Sequence, residues 1–152
     1  MANRLPIRRK RNGRYSVQLD ASVRALLVSV ADQLRDLLLG GDPALVRLFP
    51  PPYGDDAERN EGYAALVVPE LTDRRLAALE LLRTTAYDTE IDRQQLEAWM
   101  RCINDARLVA GTVLDVDESS KPPTGEHPEA DLYATYEFLG YVLEVIVQAL
   151  SS

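Results

Sequence analysis

The residues able to do chemistry are few, and most sit where chemistry is hard to arrange. The chain has one histidine, His127, and one cysteine, Cys102. His127 falls in a stretch rich in prolines and acids, where nothing fixes its tautomer or its distance to a substrate. It reads as a solvated loop residue rather than a general base. Cys102 follows Trp99 by three residues and adjoins Ile103 in an apolar helical pattern. Free cysteine is among the residue types most often buried, so packing is its first reading; a redox thiol, open to oxidation or to bridging two chains, is the alternative. Activation would need a cation beside it, and Arg101 points elsewhere on a helix while Arg107 is five residues away. A lone cysteine excludes an internal disulfide and a cysteine-based zinc site.

Asn104, Asp105 and Arg107 interrupt the same apolar pattern with polar groups. Their first reading is a buried polar network that fixes helix packing, and their second is an anion or partner site. Arg47, in DPALVRLFPPPY, belongs to the same candidate network, because an arginine after a capped proline turn usually ties a loop to a carboxylate. Tyr53 invites the same two readings. Glycine-rich phosphate loops, HExxH and G-x-S-x-G are all absent from the sequence, and with them the usual handles of most enzyme classes. Many carboxylates are the ordinary expectation in an acidic chain. We therefore expect no catalysis and no cofactor or metal, but action by contact with other macromolecules.

The candidate contact is basic. Arg8, Arg9, Lys10, Arg11 and Arg14 cluster near the start, and with Arg4 they make six of the 17 basic residues before the first acid; 24 acids then face only 11 cations. The body is acidic and the tip cationic. An acidic body repels nucleic acid at long range, so any DNA contact is local to the tip, and an acidic protein surface would serve the tip equally well. Such cation runs are often merely solvated, and only Tyr15 offers an aromatic ring for base stacking.

The elements that must hold these residues follow from pattern. Leu5, Ile7 and Arg9 alternate toward Asn12-Gly13, and Tyr15, Val17 and Leu19 alternate away, which predicts a β-hairpin over 5–19 with a type I′ turn. Its face of Leu5, Ile7, Tyr15 and Val17 should lean on a helix, with the arginines on the other face. A helical body over 20–114 follows. Asp20 caps a helix whose stripe runs Val23, Leu26, Leu27, Val30, Leu34, Leu37 and Leu38 until Gly40-Gly41. Asp42-Pro43 opens a short helix that Pro50-Pro51-Pro52 stops. Asp55 or Asp56 caps a segment to Val68, Pro69 kinks or breaks it, and Leu71, Leu76, Leu79, Leu81 and Leu82 mark a further helix to about Thr84. From Asp92 a long helix carries Leu96, Trp99, Met100, Ile103, Leu108 and Val109 to about Leu114, as the centre of the core. Residues 115–130 read as a mobile linker. The last helix, 131–150, has an apolar stripe that packs on the body or on a second copy.

At 152 residues, 46% hydrophobic and 27% charged, the whole chain (1–152) fits one globular domain, able to bury roughly 70% of its unfolded surface. The expected fold is mainly α: a compact bundle of about five to six helices with a short N-terminal β-hairpin. No apolar run nears the ~20 residues that cross a bilayer, and no signal-peptide stretch follows the basic start, so the expected location is the cytoplasm, with no membrane partner.

Three stretches, DPALVRLFPPPYGDDAERNEGY (42–63), EAWMRCINDARLVAGTVLDVDE (97–118) and YEFLGYVLEVIVQAL (136–150), resemble in order and spacing an AosR-like family of actinobacterial domains of unknown function, named for an actinomycete oxidative stress regulator. With the hairpin and the leucine-rich helix, the resemblance covers nearly the whole chain. It implies a cytoplasmic regulator in an actinobacterium, and a redox sensor in which an oxidised N-terminal cysteine pair promotes contact with a stress sigma factor at cysteine-biosynthesis promoters. Here no cysteine precedes Cys102, so that disulfide is not carried over. Two expectations result. One is a transcription-linked stress-response adaptor contacting a sigma factor, RNA polymerase or DNA through the hairpin. The other is a structural homodimer or assembly factor joined through the last helix and the Trp99 helix, without nucleic acid.

Overall fold

The computed structural model describes residues 5–114 and 130–152, apart from the side chains of Val46 and Arg47. In chain order it contains β1 (Ile7–Arg9), β2 (Tyr15–Val17), α1 (Ala21–Gly40), a 3-10 turn (Pro43–Arg47), α2 (Ala57–Thr85), β3 (Glu90–Ile91), α3 (Arg93–Val113) and α4 (Ala130–Leu150). The fold is mainly α, as expected. The expected linker, with His127, lies outside the described residues but for Ala130, which opens α4.

Local signals set most helix ends. Asp20 precedes α1 in an extended conformation, and Gly41 closes it at φ +63° with its N–H bonded to Leu37 O. Asp42 accepts from Ala44 N at 2.8 Å, so Pro43 needs no donor at the first helical position. Asp56 caps α2 by accepting from Arg59 N. Asp92 and Gln95 form a reciprocal capping box on α3, with bonds of 2.7 Å and 2.9 Å.

Four α-helices are described rather than five or six, because α2 runs through Pro69 for 29 residues. Proline removes the donor that would reach Ala65 O. Pro69 and Ala65 are both exposed, so water can replace that donor and the helix continues. The turn of the hairpin also differs. Gly13 N bonds Lys10 O and Lys10 N bonds Arg14 O; the connection is thus three residues, Arg11 to Gly13, with Gly13 at φ +83°. One left-handed glycine followed by rejoined pairing suits a three-residue loop better than the two-residue turn that Asn-Gly suggests.

A third strand escaped the sequence pattern. β2 pairs antiparallel with β1 (Ile7 opposite Val17) and with β3 (Tyr15 opposite Ile91), giving the order β1-β2-β3. Ile7, Tyr15, Val17 and Ile91 are each at most 1% exposed, whereas Leu5, expected on that face, is 41% exposed. The sheet's inner face and α4 meet through β1.

α3 is the centre of the core, packed against α2, α4 and the 3-10 turn. Trp99 is fully buried, and its Nε1 donates to Thr85 Oγ1 at 2.7 Å, while that hydroxyl donates to Leu81 O. The α4 stripe that needed a cover finds it within the chain, on α3 and β1: Leu139, Val142, Val145, Ile146 and Ala149 are buried, and Val147 and Tyr141 point outward.

Candidate interaction surface

The hairpin is tied to β3 at its tip and presents its cations unequally. Glu90 on β3 gathers three residues of the tip: Lys10 Nζ at 2.8 Å, Asn12 Nδ2 at 3.2 Å and Arg14 Nε at 3.6 Å. Hydrogen bonds from Lys10 and Asn12 hold the Glu90 carboxyl below the usual carboxylate range. Asn12 Oδ1 also accepts from Arg14 N at 2.9 Å, which stiffens the loop.

The arginines do not share one face. Arg9 stands opposite Tyr15 and on the side of Ile7, at the rim of the inner face, and its Nη1 donates to Ser152 O at 2.9 Å. Arg8 projects from the other face, in a row with Ser16 and Glu90. Arg8 and Arg11 are exposed and make no ion pair among the described residues. Of the five candidate contact residues, Lys10 and Arg14 are thus half-engaged, Arg9 docks the C-terminal end of α4, and Arg8 and Arg11 point to solvent.

The position of the hairpin depends on an arginine that the sequence reading passed over. Arg24, 6% exposed, donates to four main-chain carbonyls: Val17 O (3.0 Å), Leu19 O (3.0 Å), Ala86 O (2.9 Å) and Asp88 O (2.8 Å). A planar guanidinium offers five donors in a fixed fork, so one side chain satisfies the end of β2 and the loop before β3 together. The buried positions of α1 are 24, 27, 31, 34 and 38. Extending the apolar stripe back by one turn therefore lands on Arg24, and a cation at that register was the available signal.

The expected polar network divides. Asp105 is buried and its Oδ2 lies 3.2 Å from Arg75 Nε of α2, a partner that the sequence did not name. The contact is an ion pair without aligned hydrogen-bond geometry at that nitrogen. Burial pushes the Asp105 carboxyl above its ordinary range and Arg75 pulls it back. The Arg75 guanidinium carbon also sits 4.9 Å from the centre of the Phe49 ring, a cation–π contact. Arg107 turns the other way, 4.6 Å from the Tyr136 ring centre, and its Nε is 3.0 Å from where a Cβ on Gly140 would stand. Glycine at 140 gives the room. Arg107 lines an open groove with Glu137 and Glu144, and it does not join Asp105. Asn104 is half-buried with no side-chain bond among the described residues, and the Arg47 side chain lies outside them.

Cys102 is 4% exposed, and burial, with Asp105 nearby, pushes its thiol up to about 12. A thiol so protonated supplies little of the thiolate that reacts with oxidants. Cys102 lies among the buried residues of α3. Among the described residues no group of three or more histidine, cysteine or acidic side chains is arranged to hold a metal ion, and no helix is long and apolar enough to cross a membrane.

Comparison with known proteins places this architecture in a lineage. The putative oxidative stress regulator AosR of Mycobacterium leprae is 31% identical over 128 residues, which cover 72% of this chain and 58% of that protein. The oxidative stress regulators AosR of Mycobacterium bovis and Mycobacterium tuberculosis are 30% identical over 128 residues, covering 72% of the chain and 59% of theirs. The chain thus spans less than three fifths of the length of these curated relatives. No solved structure matches. The model of the domain of unknown function DUF2017 matches residues 4–150, nearly the whole chain, and the AosR relatives agree with the resemblance read from its three stretches. The chain belongs to the DUF2017 family.

Proposed function

We propose that this chain is a cytoplasmic regulatory protein of the stress response, acting by contact rather than catalysis and docking on a protein of the transcription machinery, a stress sigma factor or RNA polymerase. The names of its relatives, oxidative stress regulators, support the regulatory part. The observation that carries the contact is the braced hairpin: Glu90 ties the tip from the neighbouring strand while Arg8 and Arg11 stand exposed.

Magnitudes favour an acidic protein surface over DNA as the target. Binding to duplex DNA draws its strength from the number of phosphates neutralised, and proteins that bind it well make about 6–10 such contacts. Two unengaged arginines and two shared cations fall short of that, above a body whose acids outnumber its cations. A protein surface asks less of charge and more of shape.

The test is direct binding of the purified chain to a stress sigma factor, to core RNA polymerase and to promoter DNA. Arg8→Glu with Arg11→Glu should weaken protein binding by about tenfold or more, with the melting temperature unchanged. Binding to neither protein would count against the proposal. A duplex affinity matching that for the protein targets would move the function to DNA. Sedimentation in the same experiments reads the other expectation: a dimer that binds none of the three would favour the assembly role.

A further inference from the structure

We infer that the groove between α3 and α4 at Arg107 docks a helix of a protein partner that carries an acid flanked, one turn to either side, by two cations. The two helices run antiparallel: Arg93, at the start of α3, reaches Leu150 O at the end of α4, while Arg107, toward the end of α3, lies against Tyr136 and Gly140. The Arg107 side chain is thus laid across α4. Glycine inside a helix is unfavourable relative to alanine, and here it seats a guanidinium whose Nε is buried without a hydrogen-bond partner. Donors left unmatched in this way are costly, which points to a group that meets them when the protein is engaged. Glu137 and Glu144 line the same groove of about 410 Å³, yet Arg107 forms an ion pair with neither among the described residues.

The charges of this groove stand in a row that selects the occupant. Glu137 comes three residues before Gly140 and Glu144 four after it, so each lies one turn from the place where Arg107 crosses, on the same side of α4. The order along α4 is acid, cation, acid, in steps of about 5 Å. Both acids are exposed and neither has an ion pair among the described residues. Leu143, Val147 and Tyr136 supply apolar surface beside them. An isolated anion would meet two carboxylates for one guanidinium, and a wholly cationic segment would meet Arg107. A segment ordered cation, acid, cation satisfies all three. Spacing then favours a helix, because residues at i, i+3 and i+7 recur every ~5 Å along one face, whereas same-face residues of a strand recur every ~6.7 Å. The two acids repel nucleic acid. A second copy placed symmetrically about Gly140 would set Arg107 against Arg107.

This inference does not depend on the hairpin, and either reading can fail without the other. The probe is a fluorescein-labelled synthetic helix with lysines at i and i+7, glutamate at i+3 and leucines on the adjoining positions, titrated into the full chain and read by anisotropy. It should bind about tenfold more tightly than a peptide with the same leucines and every charge reversed. Glu137→Lys with Glu144→Lys should abolish that preference, and adding Arg107→Glu should invert it. Asp55→Lys with Glu61→Lys makes the same change in net charge away from the groove and should leave the preference as it is; Trp99 emission checks that each variant is folded. Equal binding of the two peptides, or a preference that survives Glu137→Lys with Glu144→Lys, would overturn the inference. An equal loss in both pairs of lysine variants would do so too, because net charge alone would then explain the binding. So would a dimer of the unaltered chain that Glu137→Lys with Glu144→Lys dissociates, because the occupant would then be a second copy.

Discussion

At the scale of single residues, the arginines differ in kind, and three of them carry checkable consequences. Arg24 is a buried cation whose partners are all dipoles, the carbonyls of Val17, Leu19, Ala86 and Asp88. Arg24→Ala leaves buried acceptors without donors and should cost on the order of 3 kcal/mol in chemical denaturation. Arg24→Lys, lacking the fork, should recover only part of that. The Arg75–Asp105 pair is different because both partners are charged. Its carboxyl is raised in the folded state, so this group contributes most below the ordinary carboxylate pKa, and the contribution is lost as pH rises through the raised value. Arg75→Met removes the compensating charge and should destabilise the chain by about 3 kcal/mol at neutral pH. Much of that loss should return on acidification, or on adding Asp105→Asn.

Cys102 makes a third residue-scale case. Its folded-state value of about 12 lies above that of an exposed thiol, so above about pH 9 the unfolded chain sheds a proton that the folded one keeps. Stability should therefore fall from that pH up to about 12, and Cys102→Val should lessen the fall. The same burial predicts that iodoacetamide labels Cys102 only upon unfolding. Rapid labelling of the native chain at pH 8 would contradict both the burial and the packing role.

At the scale of elements, what the sequence made legible was what is local. Asp42, Asp56 and Asp92 cap within a few residues of themselves, while Asp20 takes the N-cap position of α1 without a side-chain bond, and the α3 and α4 boundaries were readable to within about two residues, as for most helix ends. The misses depend on distant chain. β3 is two residues long and exists because β2 offers a free edge across some seventy positions. The Arg75–Asp105 pair and the Arg24 cluster join segments that no periodicity connects. Arg9 shared the alternation of Ile7, yet its tie to Ser152 could not be read from the hairpin alone. Pro69 was read as a boundary on its intrinsic cost, but exposure made the cost bearable. Pro69→Ala restores a donor for Ala65 O and should stabilise α2 by roughly 1–3 kcal/mol, seen as a higher melting temperature. A lower melting temperature would mean that the proline shapes packing not evident in its exposed position.

At the scale of the whole molecule, charge and apolar surface are distributed over separate regions. The cationic hairpin is fixed to α1 by Arg24 and to the end of α4 by Arg9, while an apolar groove lies between the 49–53 segment and the first half of α2. The candidate site could therefore be read only in part. The cations were visible in the sequence, but which of them are spent on Glu90 and Ser152 was not. What decides the function is where the hairpin is when the protein works. A photo-crosslinking residue in place of Ser16, beside Arg8 on the outward row, leaves every cation intact. Irradiated in cells under oxidant, it should yield an adduct with a sigma factor or an RNA polymerase subunit, lost with Arg8→Glu and Arg11→Glu. Adducts to DNA alone, to a second copy of the chain, or to nothing would contradict it.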